Sequence, residues 1–109
     1  MNNPLTQVEI EAALAAEVGG GGAGSLGAAG WTWQGDALVK AFAFADFRTA
    51  LAWMVRVGFE AEALKHHPEW TNVYGRVDVR LNTHDAGGKV TAKDVELARR
   101  MEAVGGARR

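Results

Sequence analysis

Three histidines concentrate the chemical possibilities of this sequence: His66 and His67, adjacent in the run KHHPEW over residues 65–70, and His84. Imidazole ordinarily titrates in the physiological range, so one ring can donate a proton and another accept one without a strongly perturbing environment. Three imidazoles would also supply three of the ligands that zinc usually takes. Spacing argues against a metal, because ligand pairs on a helix favour i, i+4, whereas adjacent side chains such as His66 and His67 diverge. The chain has no cysteine, which removes thiolate ligands, cysteine nucleophiles and disulfides together and fits a reducing compartment. No Ser-His-Asp arrangement stands out from the spacing. Glu62 precedes His66 by four residues, so on a helix the two share a face, and a cationic histidine there is also favoured by the helix dipole. An acid–base site and a solvated helix end therefore both fit the run. His84 adds weight to the first, since Thr83-His84-Asp85 puts three polar side chains at a strand-to-loop junction.

The elements that must position these groups follow from periodicity. Thr6 and Glu9 form a capping-box pattern, with Ile10, Ala13, Leu14 and Val18 on one face, which predicts a helix over roughly residues 5–18. Trp31 to Gly35 and Ala37 to Phe44 read as two strands joined by a Gly-Asp turn, with Leu38, Phe42 and Phe44 on one side. Asp46 can cap a long second helix whose core stripe is Phe47, Ala50, Leu51, Met54, Ala61 and Lys65. Pro68 ends it, because the residue before a proline is pushed out of the helical region, so the helix should finish near Lys65 or His66. From Trp70 to His84 the pattern alternates, Val73, Val77, Val79 and Leu81 against Tyr74, Asp78, Arg80 and His84. Gly75 marks either a tight turn between two strands or a bulge in one. Thr91 and Asp94 form a second capping pattern ahead of Leu97, Ala98, Met101 and Val104, a third helix, and residues 105–109 are a frayed tail. The order α-β-β-α-β-β-α gives an α+β fold, an antiparallel four-stranded sheet with helices on one face.

With 109 residues the chain is one domain. A net charge of −1, with arginines scattered over several elements, points away from nucleic acid or an acidic membrane surface. The N-terminus lacks the basic start and apolar core of a signal peptide, so a cytoplasmic protein is expected. Gly22-Ala23-Gly24-Ser25-Leu26-Gly27 matches the dinucleotide spacing, with Asp46 near the distance of that motif's acidic residue. That motif needs a strand before its glycines and a helix after, the reverse of the pattern here, so residues 19–30 read as a flexible loop.

Glu62-x-x-x-His66-His67-Pro68-Glu69-Trp70-x-Asn72-Val73-Tyr74, followed by Val77, Val79, Leu81, Thr83-His84 and Asp94, closely resembles the pterin-4a-carbinolamine dehydratases. The resemblance extends back through Gly30-Trp31, Phe42-x-Phe44-x-x-Phe47 and Ala61-Glu62, covering about residues 30 to 100. It implies a hydro-lyase that dehydrates 4a-hydroxytetrahydropterin to quinonoid dihydropterin, the tetrahydrobiopterin recycling step after an aromatic amino acid hydroxylase, with no metal and no cofactor. By the same resemblance His66 and His84 are the acid–base pair, His67 binds and orients the pterin, and Pro68 fixes the turn. Glu62 tunes the histidines, Thr83 and Asp85 contact substrate, and Trp31 walls the pocket. Asp94 belongs to the pattern, although its place at N3 of a helix cap explains it equally well. Lys65 stands where an acidic residue is frequent in the family, and the glycine loop is longer than the usual connection. The resemblance further implies assembly into dimers or tetramers. It also leaves an alternative role open, because animal members serve as dimerisation cofactors of a transcription factor: a non-enzymatic interaction module on the same fold.

Overall fold

In the computed structural model, which describes residues 3–16 and 24–104, Thr6 opens α1 (Gln7–Ala15) through a complete capping box with Glu9. Val18, the glycines at 19–22 and the tail at 105–109 lie outside the described residues. Residues 24–30 depart from the flexible loop expected of them. They form a tight turn in which Leu26 is fully buried, and the Gly27 amide donates to the Leu14 carbonyl at 2.9 Å. Leu26 makes the difference, because a large apolar side chain holds the turn against the core.

Strands β1 (Thr32–Gln34) and β2 (Ala37–Ala43) form the expected hairpin across Gly35-Asp36. Gly35 there takes a φ of +59°, a conformation glycine adopts without steric cost. Helix α2 (Phe47–Leu64) is capped by the Asp46 carboxylate, which accepts the Thr49 amide. Strands β3 (Glu69–Val73) and β4 (Arg76–Leu81) follow, then a short 3-10 turn at His84–Ala86 and α3 (Ala92–Ala103). The sheet is antiparallel in the order β1-β2-β4-β3. No helix among the described residues is long and apolar enough to cross a membrane.

One face of the sheet carries the core. Trp53 of α2 lies 4.4 Å from the Phe42 ring and 5.2 Å from Phe44, and its indole N–H donates to the Met101 carbonyl of α3 at 3.3 Å. That residue corrects the stripe read from the sequence. The buried side of α2 is Ala50, Trp53, Val57 and Ala61, while Phe47 and Leu51 are 50% and 45% exposed. Alanines at two of the buried positions let the helix approach the sheet closely enough for the indole to reach Phe42. Because α2 is apolar on more than one side, periodicity alone could not choose between them.

Tyr74-Gly75 is a tight turn between strands, and its register produces a second correction. Val73 pairs with Arg76 and Asn72 with Val77, so Val73 faces away from Val77, Val79 and Leu81 and is 54% exposed. Alternation read straight through a two-residue turn puts the preceding residue on the wrong face. Gly75 is required by proximity: a Cβ there would meet the Phe44 carbonyl oxygen at 2.6 Å, and that strand end is held by the Phe44 amide donating to the Gly75 carbonyl at 2.7 Å.

The end of α2 sets the geometry of the site. Lys65 is left-handed, with φ 52° and ψ 43°. Its amide donates to the Glu62 carbonyl and the His66 amide to the Ala61 carbonyl, each at 3.0 Å, the pair of bonds that defines a Schellman termination. Backbone reversal at Lys65, two residues before His67 and three before Pro68, is thus what stops the helix.

Left-handed backbone costs an L-residue roughly 1–2 kcal/mol, part of which glycine returns through unfolded-state entropy. Lys65→Gly is accordingly expected to stabilise the fold by about 0.5–1 kcal/mol in urea denaturation. At the other end of α2, the bonds from Thr49 hold the Asp46 carboxyl below its ordinary value of 3.8. A lowered folded-state value adds stability that is fully present above the unfolded value and is lost as pH falls through the folded one. Thermal unfolding between pH 6 and 2 should therefore show a loss below pH 4 that is smaller in Asp46→Asn; identical pH profiles would refute the capping contribution.

Candidate functional site

Once the chain reverses at Lys65, the two histidines part. His66 turns inward, 9% exposed, and its Nε2 lies 2.5 Å from Asp94 Oδ1. His67 turns outward, and its Nε2 lies 2.8 Å from Glu62 Oε1 with both side chains about 70% exposed. Divergence of the adjacent rings is as expected, but the partner is not. Sharing a face with Glu62 required His66 to be helical, and the left-handed residue before it carries His66 off the helix and brings His67 back over Glu62. A contact this exposed contributes little to stability. Its effect is to hold the His67 ring.

Asp94 is the residue around which the site is organised. It is the N3 residue of α3 and is fully buried. Oδ2 accepts the Thr91 amide at 2.8 Å and the Thr83 hydroxyl at 2.7 Å, while Oδ1 receives His66. Thr83 has one hydroxyl proton and donates it to Asp94, so the 2.7 Å contact between the two threonine hydroxyls is donated by Thr91. With donors on its other oxygen, Asp94 acts as acceptor toward the imidazole as well. The proton of that bond therefore sits on His66 Nε2, and Nδ1 is the nitrogen that Asp94 leaves unengaged. Among the described residues no buried side-chain polar atom lacks a hydrogen-bond partner.

A cleft of about 320 Å3 opens over this network. Its walls bring together five residues expected from the sequence, His66, His67, Thr83, His84 and Asp85. Lys65, Asn82 and Lys93 line it too and were not expected. Lys65 and Lys93 each directly precede a member of the His66–Asp94 pair, and that adjacency was the available signal. Thr83 holds its place through the backbone: its amide donates to the Lys89 carbonyl at 2.9 Å, and its own carbonyl accepts the Ala86 and Gly88 amides. His84 begins the 3-10 turn and is exposed, with its ring on the cleft. Glu62 and Asp94 do not line the cleft: Glu62 contacts His67 from outside it, and Asp94 contacts His66 from beneath. Pro68 lies in the three-residue link from Lys65 to β3 and does not line the cleft.

Trp31 is not brought to the site. Its indole N–H donates to Glu102 Oε2 at 2.9 Å within the core, where Lys40 Nζ meets the same oxygen at 2.6 Å. The expectation that it walls the pocket is corrected by this partner, which draws the ring under α3. Among the described residues no three His, Asp or Glu side chains converge as a metal-binding group.

This arrangement places three histidines on one polar cleft, one of them oriented from behind by a buried carboxylate. Comparison with known proteins agrees with the sequence pattern. The family model described as pterin 4 alpha carbinolamine dehydratase matches residues 3–104. A relative from Opitutus terrae, named for the same dehydratase activity, is 59% identical over 100 residues, 92% of each chain. One from Ruegeria pomeroyi is 49% identical over 83 residues, 74% of this chain and 84% of its own. A crystal structure from Brucella melitensis, described as a transcriptional coactivator/pterin dehydratase, superposes with a TM-score of 0.79 at 39% identity, covering 94% of this chain and 98% of that one. The chain belongs to the pterin 4 alpha carbinolamine dehydratase family.

Proposed function

We propose that the cleft dehydrates a 4a-hydroxytetrahydropterin to the quinonoid dihydropterin. The reaction breaks the C4a–O bond and the N5–H bond. The hydroxyl takes a proton and leaves as water with the C–O electron pair, and the electrons of the N5–H bond form the C4a=N5 double bond as a base removes that proton. Two proton transfers to neighbouring atoms call for two positioned acid–base groups. The observation that carries the reading is the His66–Asp94 bond: it fixes the ring so that Nδ1 is the open nitrogen, suited to take the N5 proton, and the carboxylate stabilises the imidazolium that forms. His84, on the same cleft, is the partner that protonates the departing hydroxyl. His67, steadied by Glu62, orients the pterin, and Thr83 and Asp85 contact it. Recycling of tetrahydrobiopterin after an aromatic amino acid hydroxylase, in the cytoplasm, is the context this reaction would serve.

A second reading has one observation in its favour. Phe47, Leu51, Val55 and Phe59 form an exposed apolar row along α2, at 50%, 45%, 52% and 73% exposure, which suits an interaction module or self-association as a dimer or tetramer. The name of the Brucella relative joins coactivator and dehydratase.

Rapid-mixing measurement of 4a-hydroxytetrahydropterin consumption separates the two. Each of His66→Ala and His84→Ala is expected to lose about 10²–10⁴-fold in kcat, and the double variant to be inactive. A wild-type protein that does not accelerate dehydration would end the enzymatic reading. Partner capture or sedimentation unchanged in the double variant would support the interaction role. Asp94→Asn keeps the shape but loses the charge that orients and stabilises His66, so kcat should fall by about 10²-fold or more. Wild-type kcat in a folded Asp94→Asn protein would remove the pair from the mechanism.

A further inference from the structure

Two lysines stand on the cleft with no assigned task. Lys65 immediately precedes His66, Lys93 immediately precedes Asp94, and both line the same cavity as the histidines. Neither ammonium pairs with a carboxylate among the described residues. Asp85 is the single carboxylate on the cleft wall, against these two cations. Both lysines also occupy positions that other residues would fill at lower cost. Lys65 holds the left-handed backbone that glycine adopts freely, and Lys93 sits in the first turn of α3, where the helix dipole disfavours a cation. Placed there, the positive end of α3 adds to the field of the lysine over the cleft.

We infer that the rim formed by Lys65 and Lys93 selects pterins whose C6 substituent is anionic, a phosphate or a carboxylate. This rests on the pterin reading of the cleft. In a 4a-hydroxytetrahydropterin, N5 is bonded to C4a on one side and to C6 on the other. Imidazoles that serve the 4a-hydroxyl and the N5 proton therefore stand next to whatever C6 carries. An anion one to three bonds beyond C6 falls to the residues flanking the histidines. A neutral hydroxyalkyl group there would offer neither ammonium a counter-charge.

Stable aromatic pterins test this by fluorescence titration without turnover: neutral 6-hydroxymethylpterin, its phosphate ester, and 6-carboxypterin. At low ionic strength the anionic compounds should bind roughly tenfold more tightly than the neutral one, two partly exposed ion pairs being worth about that much together. The advantage should shrink at about 0.15 M salt, and it should vanish in the Lys65→Gln/Lys93→Gln double variant, which removes both charges while keeping an unbranched polar side chain one atom shorter. Whichever anion binds more tightly identifies phosphate or carboxylate. Equal affinities in the wild type, or a preference the double variant retains, would overturn the inference. Dehydration of 4a-hydroxytetrahydropterins with neutral and anionic C6 groups is measured alongside. Anion-selective binding without dehydration counts against the dehydratase reading alone, dehydration with no anion preference counts against the rim alone, and failure of every pterin to bind together with no dehydration overturns both.

Discussion

A carboxylate removed from water must be met by donors, and Asp94 is met by three: an amide, a hydroxyl and an imidazole. Those donors come from the start of α3, the residues just past β4, and the residues just past α2. The requirement to satisfy one buried charge thus joins three chain segments far apart in sequence, and the cleft lies where they meet. Losing any one donor would leave part of the carboxylate desolvated and unpaired, at a cost of about 1–3 kcal/mol or more. The site is therefore built into the packing of the fold, which gives His66 a fixed orientation before any substrate arrives.

Outside this junction the fold divides its work simply. Trp53 ties α2 to Phe42 and Phe44 of the sheet and, through its N–H, to α3. Arg100 of α3 reaches Glu60 of α2 at 3.1 Å while pairing with Glu96 on its own helix. These contacts fix the spacing of the two helices whose ends supply His66 and Asp94. Lys40 and Trp31 share Glu102 at the other side of the core, so the buried carboxylate of that helix is neutralised as well.

Much of this was legible in the chain. Both capping boxes, the Asp46 cap and the element order follow from local signals whose physics is local, whereas the gathering of His66, His67, His84, Thr83 and Asp85 was implied only by the family resemblance. The failures share a cause, which is that each depended on a tertiary choice. Which of the apolar sides of α2 faces the sheet is decided by where Trp53 can reach. Which face Val73 takes is decided by the turn at Tyr74-Gly75, and the partner of Glu62 by one left-handed residue. Asp94 was visible as a cap residue, but a cap pattern carries no information about the second oxygen of its carboxylate, and that oxygen holds the histidine.

The two loops around the cleft differ in what they can absorb. Between the left-handed Lys65 and the first residue of β3 there are only His66, His67 and Pro68, and Trp70 then anchors on the core beside Trp53 at 6.1 Å. An added or deleted residue in that link would move an imidazole to the opposite side of the chain, so its length is fixed as strictly as its composition. Gly87 and Gly88, with φ of +73° and +78°, form a bend with open space where a Cβ would point. Divergence in loop length among related chains should collect on that side of the cleft, leaving the histidine side as its constant edge.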